Sequence, residues 1–109
     1  MSKYFPTLAD MTKHELVKGI VGHLTWGEKL MLSYVEIAPG KGVAMHSHPH
    51  EQAGFIVEGE MEFTISGEKR RLQKGDFFFV PGGTPHTGTS GPKGAVVLDV
   101  FAPPREEYK

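Results

Sequence analysis

Two glycine-bounded stretches carry the histidines that most constrain this chain. The first, residues 40–59, contains His46 and His48, and the second, residues 75–90, contains His86. Two histidines separated by one residue lie on the same face of an extended strand, roughly 6 to 7 Å apart at the backbone. Their imidazoles can therefore converge on one ion. The flanking glycines and prolines favour turns, so the stretches predict strands that end at tight turns.

A metal site follows from the residues next to these histidines. The stiff turn over residues 81–85 fixes the direction of His86, and Gln52 follows the first pair. Three imidazoles and one amide form a four-ligand set that leaves positions open for a substrate. We therefore predict one catalytic divalent transition metal ion, which the sequence leaves open among Ni, Zn, Mn, Fe and Co. The alternative to a catalytic ion is an ion with only a structural role. The alternative to ligation by Gln52 is an amide that only lines the interior.

Strand patterns fill most of the remaining chain. Residues 60–66 alternate between polar and apolar side chains and return over residues 69–73, which predicts a half-buried hairpin. Residues 23–26 and 29–38 are predicted to pair, and residues 76–80 and 95–101 to form further strands. About nine short strands without a long helical period favour an all-β antiparallel barrel or sandwich.

The N-terminal residues 1–22 are predicted to form an arm. Within it, residues 11–18 fit either a short helical turn or an irregular segment. The tail after Ala102 contains two prolines, which remove the ladder donors that a central strand needs, so the last strand should stop there.

Composition excludes several classes of function. The 109 residues suit one domain, and 12 basic against 13 acidic residues give a net charge of -1. This balance requires neither nucleic acid nor an anionic membrane, and it leaves a small neutral or acidic ligand open. Without cysteine there are no disulfides and no thiolate chemistry. We find no signal-peptide or membrane-spanning run, so we expect a cytoplasmic protein.

Asp99 is the most informative residue outside the two stretches. It shares one strand face with Ala95, Val97 and Phe101, so the carboxyl interrupts an apolar face. A buried carboxylate must be paired, hydrogen-bonded or protonated, which predicts a general acid or base with a perturbed pKa. The alternative for Asp99 is an edge position that faces water, and the alternative for Phe101 is simple core packing.

Arg105 follows the two prolines and suits a clamp for a substrate carboxylate. The alternative is a solvated arginine in the tail.

The two stretches resemble the paired motifs of the cupin superfamily, G-x5-H-x-H-x3-E-x6-G and G-x5-P-x-G-x2-H-x3-N. The matching positions are Gly40, His46, His48, Gly59, Gly75, Pro81, Gly83 and His86. Two positions differ, because Gln52 stands where glutamate is usual and Ser90 where asparagine is common. The resemblance implies that residues 1–109 form a single jelly-roll barrel, an antiparallel double-stranded β-helix.

A narrower resemblance rests on H-x-H-x3-Q, a later histidine, D-x-F and P-P-R-E-E-Y, which are similar to the KdgF family of pectin and alginate catabolism. It implies an enzyme that opens 4,5-unsaturated monouronates, which are small acidic sugars, to 5-keto-4-deoxyuronate. The implied metal ligands are His46, His48, Gln52 and His86, and the implied active-site residues are Asp99, Phe101 and Arg105.

Two other readings remain open at this point. A sugar- or metal-binding cupin without turnover would need the same histidines but not Asp99. Another metal-dependent cupin enzyme, such as a dioxygenase or a sulfoniopropionate lyase, is the second. The neutral ligand Gln52 disfavours oxidation of the metal and so weighs against the dioxygenase.

We also expect a homodimer, because a small jelly roll has sheet edges to protect and the arm has no core of its own. His14, His23 and His50 belong to neither motif pattern, and surface or packing roles are favoured for them.

Overall fold

The computed structural model describes residues 2–109, so Met1, the first residue of the predicted arm, lies outside the described part. Eight strands and two short 3₁₀ helices make up this part of the chain. They are, in order, the 3₁₀ helix Leu8–Asp10, β1 Thr12–Val17, β2 Ile20–Trp26, β3 Met31–Ile37, β4 Gly42–His46, β5 Glu51–Ile65, β6 Glu68–Gln73, β7 Phe77–Val80, β8 His86–Ala102 and the 3₁₀ helix Glu106–Tyr108.

All strand pairs are antiparallel, which confirms the predicted all-β class. The main path through the sheet is β1-β2-β3-β8-β5-β6, while β4 pairs with β8 and β7 pairs with β5. β8 contacts β4 with its first half and β3 with its second half, and β5 follows it along both halves. The sheet therefore rolls around these two long strands and encloses an interior.

The expectation of about nine short strands was wrong, because β5 and β8 each pass through a predicted break. In β5 the chain continues through Gly59, and the pairing shifts register at this point. The φ of Gly59 is 76°, a positive value that glycine adopts without strain. In β8 it continues through Gly91 to Gly94, ahead of the strand predicted over residues 95–101. Glycines in these strands bend the sheet instead of ending it.

Residues 12–17 form a strand rather than the helical turn or irregular segment that the sequence allowed. Strand β1 pairs with β2 from Thr12, opposite Leu24, to Val17, opposite Ile20. The free edge of β2 supplies hydrogen-bond partners for this backbone, and such tertiary pairing overrides a weak local preference.

The core consists of inward-facing apolar side chains in two clusters. The larger one contains Ile56, Met61, Phe63, Phe78, Val80, Ala95 and Val97. The smaller one contains Leu24, Met31 and Phe101, with Tyr108 packed against it. The predicted hairpin is also confirmed, since β5 pairs with β6 from Glu60 to Ile65, and the side chains of β6 are mostly exposed.

The tail leaves the sheet after Ala102, as the prolines predicted. A cis peptide bond precedes Pro103, and the following 3₁₀ helix returns Tyr108 to the smaller core cluster. No helix within residues 2–109 is long and apolar enough to cross a membrane. The cytoplasmic location stays a prediction.

Candidate metal centre and active site

Strand pairing brings the three motif histidines together. His46, the last residue of β4, lies directly opposite His86, the first residue of β8. His48 follows β4, and its carbonyl accepts a hydrogen bond of 2.8 Å from the backbone N–H of Gly83 in the turn before β8. The two glycine-bounded stretches are therefore held against each other at one end of the barrel.

The ring atoms of these histidines converge on one point. One nitrogen from each of His46, His48 and His86 lies within 4.8 Å of the others. The ring centroids are 4.3 Å apart for His46 and His86 and 4.8 Å apart for His48 and His86. Such a cluster of imidazoles is the usual protein ligand set for a divalent transition metal.

Backbone carbonyls determine which ring nitrogen faces the centre. The Nδ1 atoms of His46 and His86 each donate to a carbonyl two residues earlier at 2.8 Å, and Nδ1 of His48 donates to the His50 carbonyl at 3.0 Å. With the proton on Nδ1, each Nε2 carries a lone pair. A ligand histidine is commonly oriented in this way by its other ring nitrogen.

The surroundings keep two of these rings neutral, which metal binding requires. Burial lowers the pKa of His48, and the positive charges of Arg105 and His86 lower it further. Burial also lowers the pKa of His86, against the effect of its hydrogen bond to the Thr84 carbonyl.

Gln52 connects the histidines to Asp99. Its Nε2 donates to Oδ1 of Asp99 at 3.1 Å, and its Oε1 lies 3.1 Å from Nε2 of His48. Because the amide nitrogen is directed to Asp99, the amide oxygen is directed to the histidine cluster.

These contacts fit a bound cation. The Nε2 atom of His86 is buried and has no hydrogen-bond partner within residues 2–109. The Nε2 of His48 and the Oε1 of Gln52 face each other, both as acceptors when His48 is neutral. A buried polar atom without a partner costs free energy, and a metal ion between these lone pairs would satisfy them.

The Asp99 carboxyl faces the barrel interior. Burial raises its pKa to about 7, against the effects of the Gln52 hydrogen bond and the Arg105 charge. It is half-buried and borders the cavity, and its strand β8 lies between β3 and β5 rather than at an edge. Its second oxygen, Oδ2, has no hydrogen-bond partner in the described residues. A carboxyl in this setting holds a proton near neutral pH and can present it to a ligand.

Phe101 and Arg105 lie beside the histidines. Phe101 is buried, and its ring centroid is 5.8 Å from that of His48. The Arg105 guanidinium lies over the Tyr108 ring at 4.2 Å and the Phe101 ring at 5.2 Å, and its side chain is only 11% exposed. Its Nε donates to Glu107 at 3.4 Å, whereas its terminal nitrogens have no protein partner within residues 2–109. Those nitrogens can bind an anionic ligand.

A single cavity joins these groups. Its volume is about 90 Å³. His46, Gln52, His86, Asp99 and Arg105 contribute its polar lining. Phe101 also lines this cavity, so six of the seven predicted site residues border it. The seventh, His48, lies next to His86.

Sequence reasoning missed three residues of the cavity region. A Cβ on Gly54 would collide with the Phe78 ring and would lie 2.9 Å from Oδ1 of Asp99, so only glycine leaves room for the carboxyl. Tyr108 lines the cavity from the tail. It is the last residue of the P-P-R-E-E-Y motif, which could have pointed to it, but no role was assigned to it. Ser33 is a polar residue on the otherwise apolar face Met31, Ser33, Val35, and this interruption is the signal that could have found it.

The remaining histidines lie outside the cluster. His23 Nε2 forms a 2.6 Å hydrogen bond with Oε1 of Glu36, and His14 contacts the carbonyl of Lys109 at 3.3 Å. His50 stands next to His48, with ring centroids 5.5 Å apart, but only its backbone carbonyl contacts a cluster ring.

The family model for the cupin domain matches residues 33–101. The chain is a cupin. This confirms the jelly-roll barrel implied by its motifs. Among solved structures, an RmlC-like cupin from Shewanella frigidimarina NCIMB 400 superimposes with a TM-score of 0.90 at 28% identity, covering 99% of this chain and 97% of that chain.

The cupin also belongs with the KdgF proteins. It is 34% identical to the pectin degradation protein KdgF of Dickeya dadantii (strain 3937), and the match covers 99% of both chains. The structure of KdgF from Halomonas sp. superimposes with a TM-score of 0.83 at 31% identity, covering 91% of this cupin and 92% of that chain. The resemblance found in the motifs therefore extends over the whole length.

Replacement of any one cluster histidine should remove most of the bound metal. We expect His46→Ala, His48→Ala and His86→Ala each to lose most of the one divalent ion per chain, since two imidazoles hold such an ion poorly. His50→Ala is the matched control, because it keeps the carbonyl that orients His48. Elemental analysis after exhaustive dialysis measures the content, and a full complement of metal in His48→Ala would contradict the assignment.

Proposed function

We propose that this cupin opens the ring of 4,5-unsaturated monouronates derived from pectin or alginate and yields 5-keto-4-deoxyuronate. The observation that carries the proposal is the contact between Gln52 and Asp99, because it places a carboxyl with a raised pKa beside a three-histidine cluster in one cavity. The similarity to KdgF proteins along the whole chain supports the same substrate class.

The substrate is a cyclic enol ether that bears a carboxylate. A divalent ion held by His46, His48, Gln52 and His86 would supply positive charge for the carboxylate and the ring oxygen. The terminal nitrogens of Arg105, which have no protein partner among residues 2–109, share the carboxylate by charge-assisted hydrogen bonds. Phe101 forms the apolar wall against which the ring lies.

Asp99 performs the proton transfer. Its carboxyl protonates C4, the π electrons of C4=C5 form the new C–H bond, and the positive charge is shared by C5 and the ring oxygen. Water then adds at C5 and returns a proton to Asp99. The hemiketal opens as the bond between C5 and the ring oxygen breaks and the proton of the C5 hydroxyl is transferred to that oxygen, which leaves a ketone at C5 and a hydrated aldehyde at C1. Loss of that water makes the overall reaction an isomerisation.

The function depends on the carboxyl of Asp99, which a purely binding cupin does not need. Asp99→Asn keeps the shape and the hydrogen bond to Gln52 but cannot transfer the proton. With the wild type, we expect unsaturated galacturonate to lose the absorbance of its C4=C5 bond far faster than in buffer. The variant should be slower by at least about 10²-fold, the lower end of general acid–base contributions.

Metal content and the urea midpoint of Asp99→Asn serve as controls, and both should stay close to those of the wild type. If the metal-loaded wild type does not exceed the spontaneous reaction, ring opening is wrong and the binding cupin replaces it. If Asp99→Asn retains the wild-type rate, another group carries the proton.

We further propose that the cupin forms a homodimer through an apolar outer surface. Phe77 and Phe79 on β7 are 75% and 56% exposed, while the alternate residues of this strand face the core. The Phe55 ring lies beside that of Phe77, with centroids 4.8 Å apart. An exposed apolar patch of this kind can pair with its own copy across a two-fold axis. Tyr4 and Phe5 of the N-terminal arm, 75% and 80% exposed, add apolar surface to cover.

Light scattering at micromolar concentration should give twice the chain mass of 12.0 kDa. Phe77→Lys places a charge in the proposed interface and should shift the mass towards the monomer. Gln73→Lys, which adds the same charge to an exposed strand position outside it, should remain dimeric. A monomeric wild type would contradict the proposal.

A further inference from the structure

Ser33 carries a buried hydroxyl that has no hydrogen-bond partner in the described part of the chain. The residue is fully buried, at 0% exposure, and its Oγ makes no hydrogen bond within residues 2–109. It lines the same cavity as Asp99 and Gln52. A hydroxyl withdrawn from water without a partner costs free energy, so its position indicates a group that enters the cavity.

The sheet register places this hydroxyl beside Asp99. Ser33 on β3 lies directly opposite Asp99 on β8, so their Cβ atoms stand about 4.5 to 5.5 Å apart on the inner face. On the other side of Asp99 is Gly54 of β5, the strand from which Gln52 approaches the carboxyl. Ser33 and Gln52 therefore flank Asp99 from opposite sides.

The Gln52 side and the Ser33 side of Asp99 correspond to the two ring neighbours of C4, the carbon that Asp99 protonates. If the ring oxygen and carboxylate lie on the Gln52 side, C5 is on that side of Asp99 and C3 is on the Ser33 side. The C3 hydroxyl then reaches both Ser33 Oγ and the open Oδ2 of Asp99. A serine hydroxyl both donates and accepts, so it can bind this group in either sense.

We propose that Ser33 is a specificity-determining residue that binds the sugar hydroxyl next to the carbon protonated by Asp99. This assignment rests on the proposed function. It predicts that the Ser33 hydroxyl serves ligand binding and contributes nothing to the stability of the free protein. Removing the hydroxyl breaks no hydrogen bond of the free protein.

The test compares Ser33→Ala with Ser90→Ala, a matched buried serine. Ser90 Oγ donates to the Ala38 carbonyl at 2.7 Å and accepts from the Lys41 N–H at 3.2 Å, and Ser90 does not line the cavity that contains Asp99. Each variant is measured for its urea midpoint, its metal content, and kcat/KM on unsaturated galacturonate and on the analogue that lacks the C3 hydroxyl.

We expect Ser33→Ala to keep its urea midpoint and metal content. Its kcat/KM on unsaturated galacturonate should fall about 5- to 10-fold, the size of one neutral hydrogen bond, and should equal that of the wild type on the deoxy analogue. Ser90→Ala should show the reverse, with a lower urea midpoint and unchanged kcat/KM. An equal loss on both substrates, no loss on either, or a lower urea midpoint for Ser33→Ala would overturn the proposal.

Failure of ring opening itself is recognised separately. If the wild type turns over neither compound, calorimetry with saturated galacturonate and its 3-deoxy counterpart replaces kinetics. Ser33→Ala should then weaken binding of galacturonate alone by about 5- to 10-fold. Equal affinities of wild type and variant for galacturonate would contradict the role of Ser33.

Discussion

The hydrogen bond from Gln52 to Asp99 is the contact on which the rest of the site depends. An amide has one donating and one accepting end, so the donor committed to Asp99 leaves the oxygen for the histidine cluster. A carboxylate at position 52, as in the usual cupin motif, would instead place two acidic groups side by side and repel the charge of Asp99. The neutral amide of Gln52 therefore permits a carboxyl at position 99 beside it.

The fold supplies the positions that this contact needs. β8 carries His86 at its first residue and Asp99 near its last, while β5 carries Gln52 near its first residue. These strands pair along both halves of the rolled sheet, so the two ends of β8 meet at one cavity. Gly54 leaves the space in which Asp99 sits, and a side chain there would displace the carboxyl from Gln52. The tail after Pro103 adds Arg105 over the aromatic rings of Phe101 and Tyr108.

Much of this arrangement follows from local sequence, and some of it does not. The spacing of His46 and His48 and the turn before His86 predict convergence, because strand geometry and stiff turns act over a few residues. The apolar face around Asp99 likewise predicts an inward carboxyl. Strand β1 and the length of β5 and β8 were not predictable, since pairing with a distant edge decides them. The proximity of Ser33 to Asp99 is a matter of register between strands more than sixty residues apart.

In the proposed mechanism, metal binding and proton transfer are coupled through the amide of Gln52. A crystal structure of the metal-loaded protein, with the ion located by anomalous scattering, tests this claim most directly. We predict that the ion is bound by Nε2 of His46, His48 and His86 and by Oε1 of Gln52, while Nε2 of Gln52 still donates to Asp99. An Asp99 carboxylate bound to the ion, or a Gln52 amide turned away from it, would contradict the account.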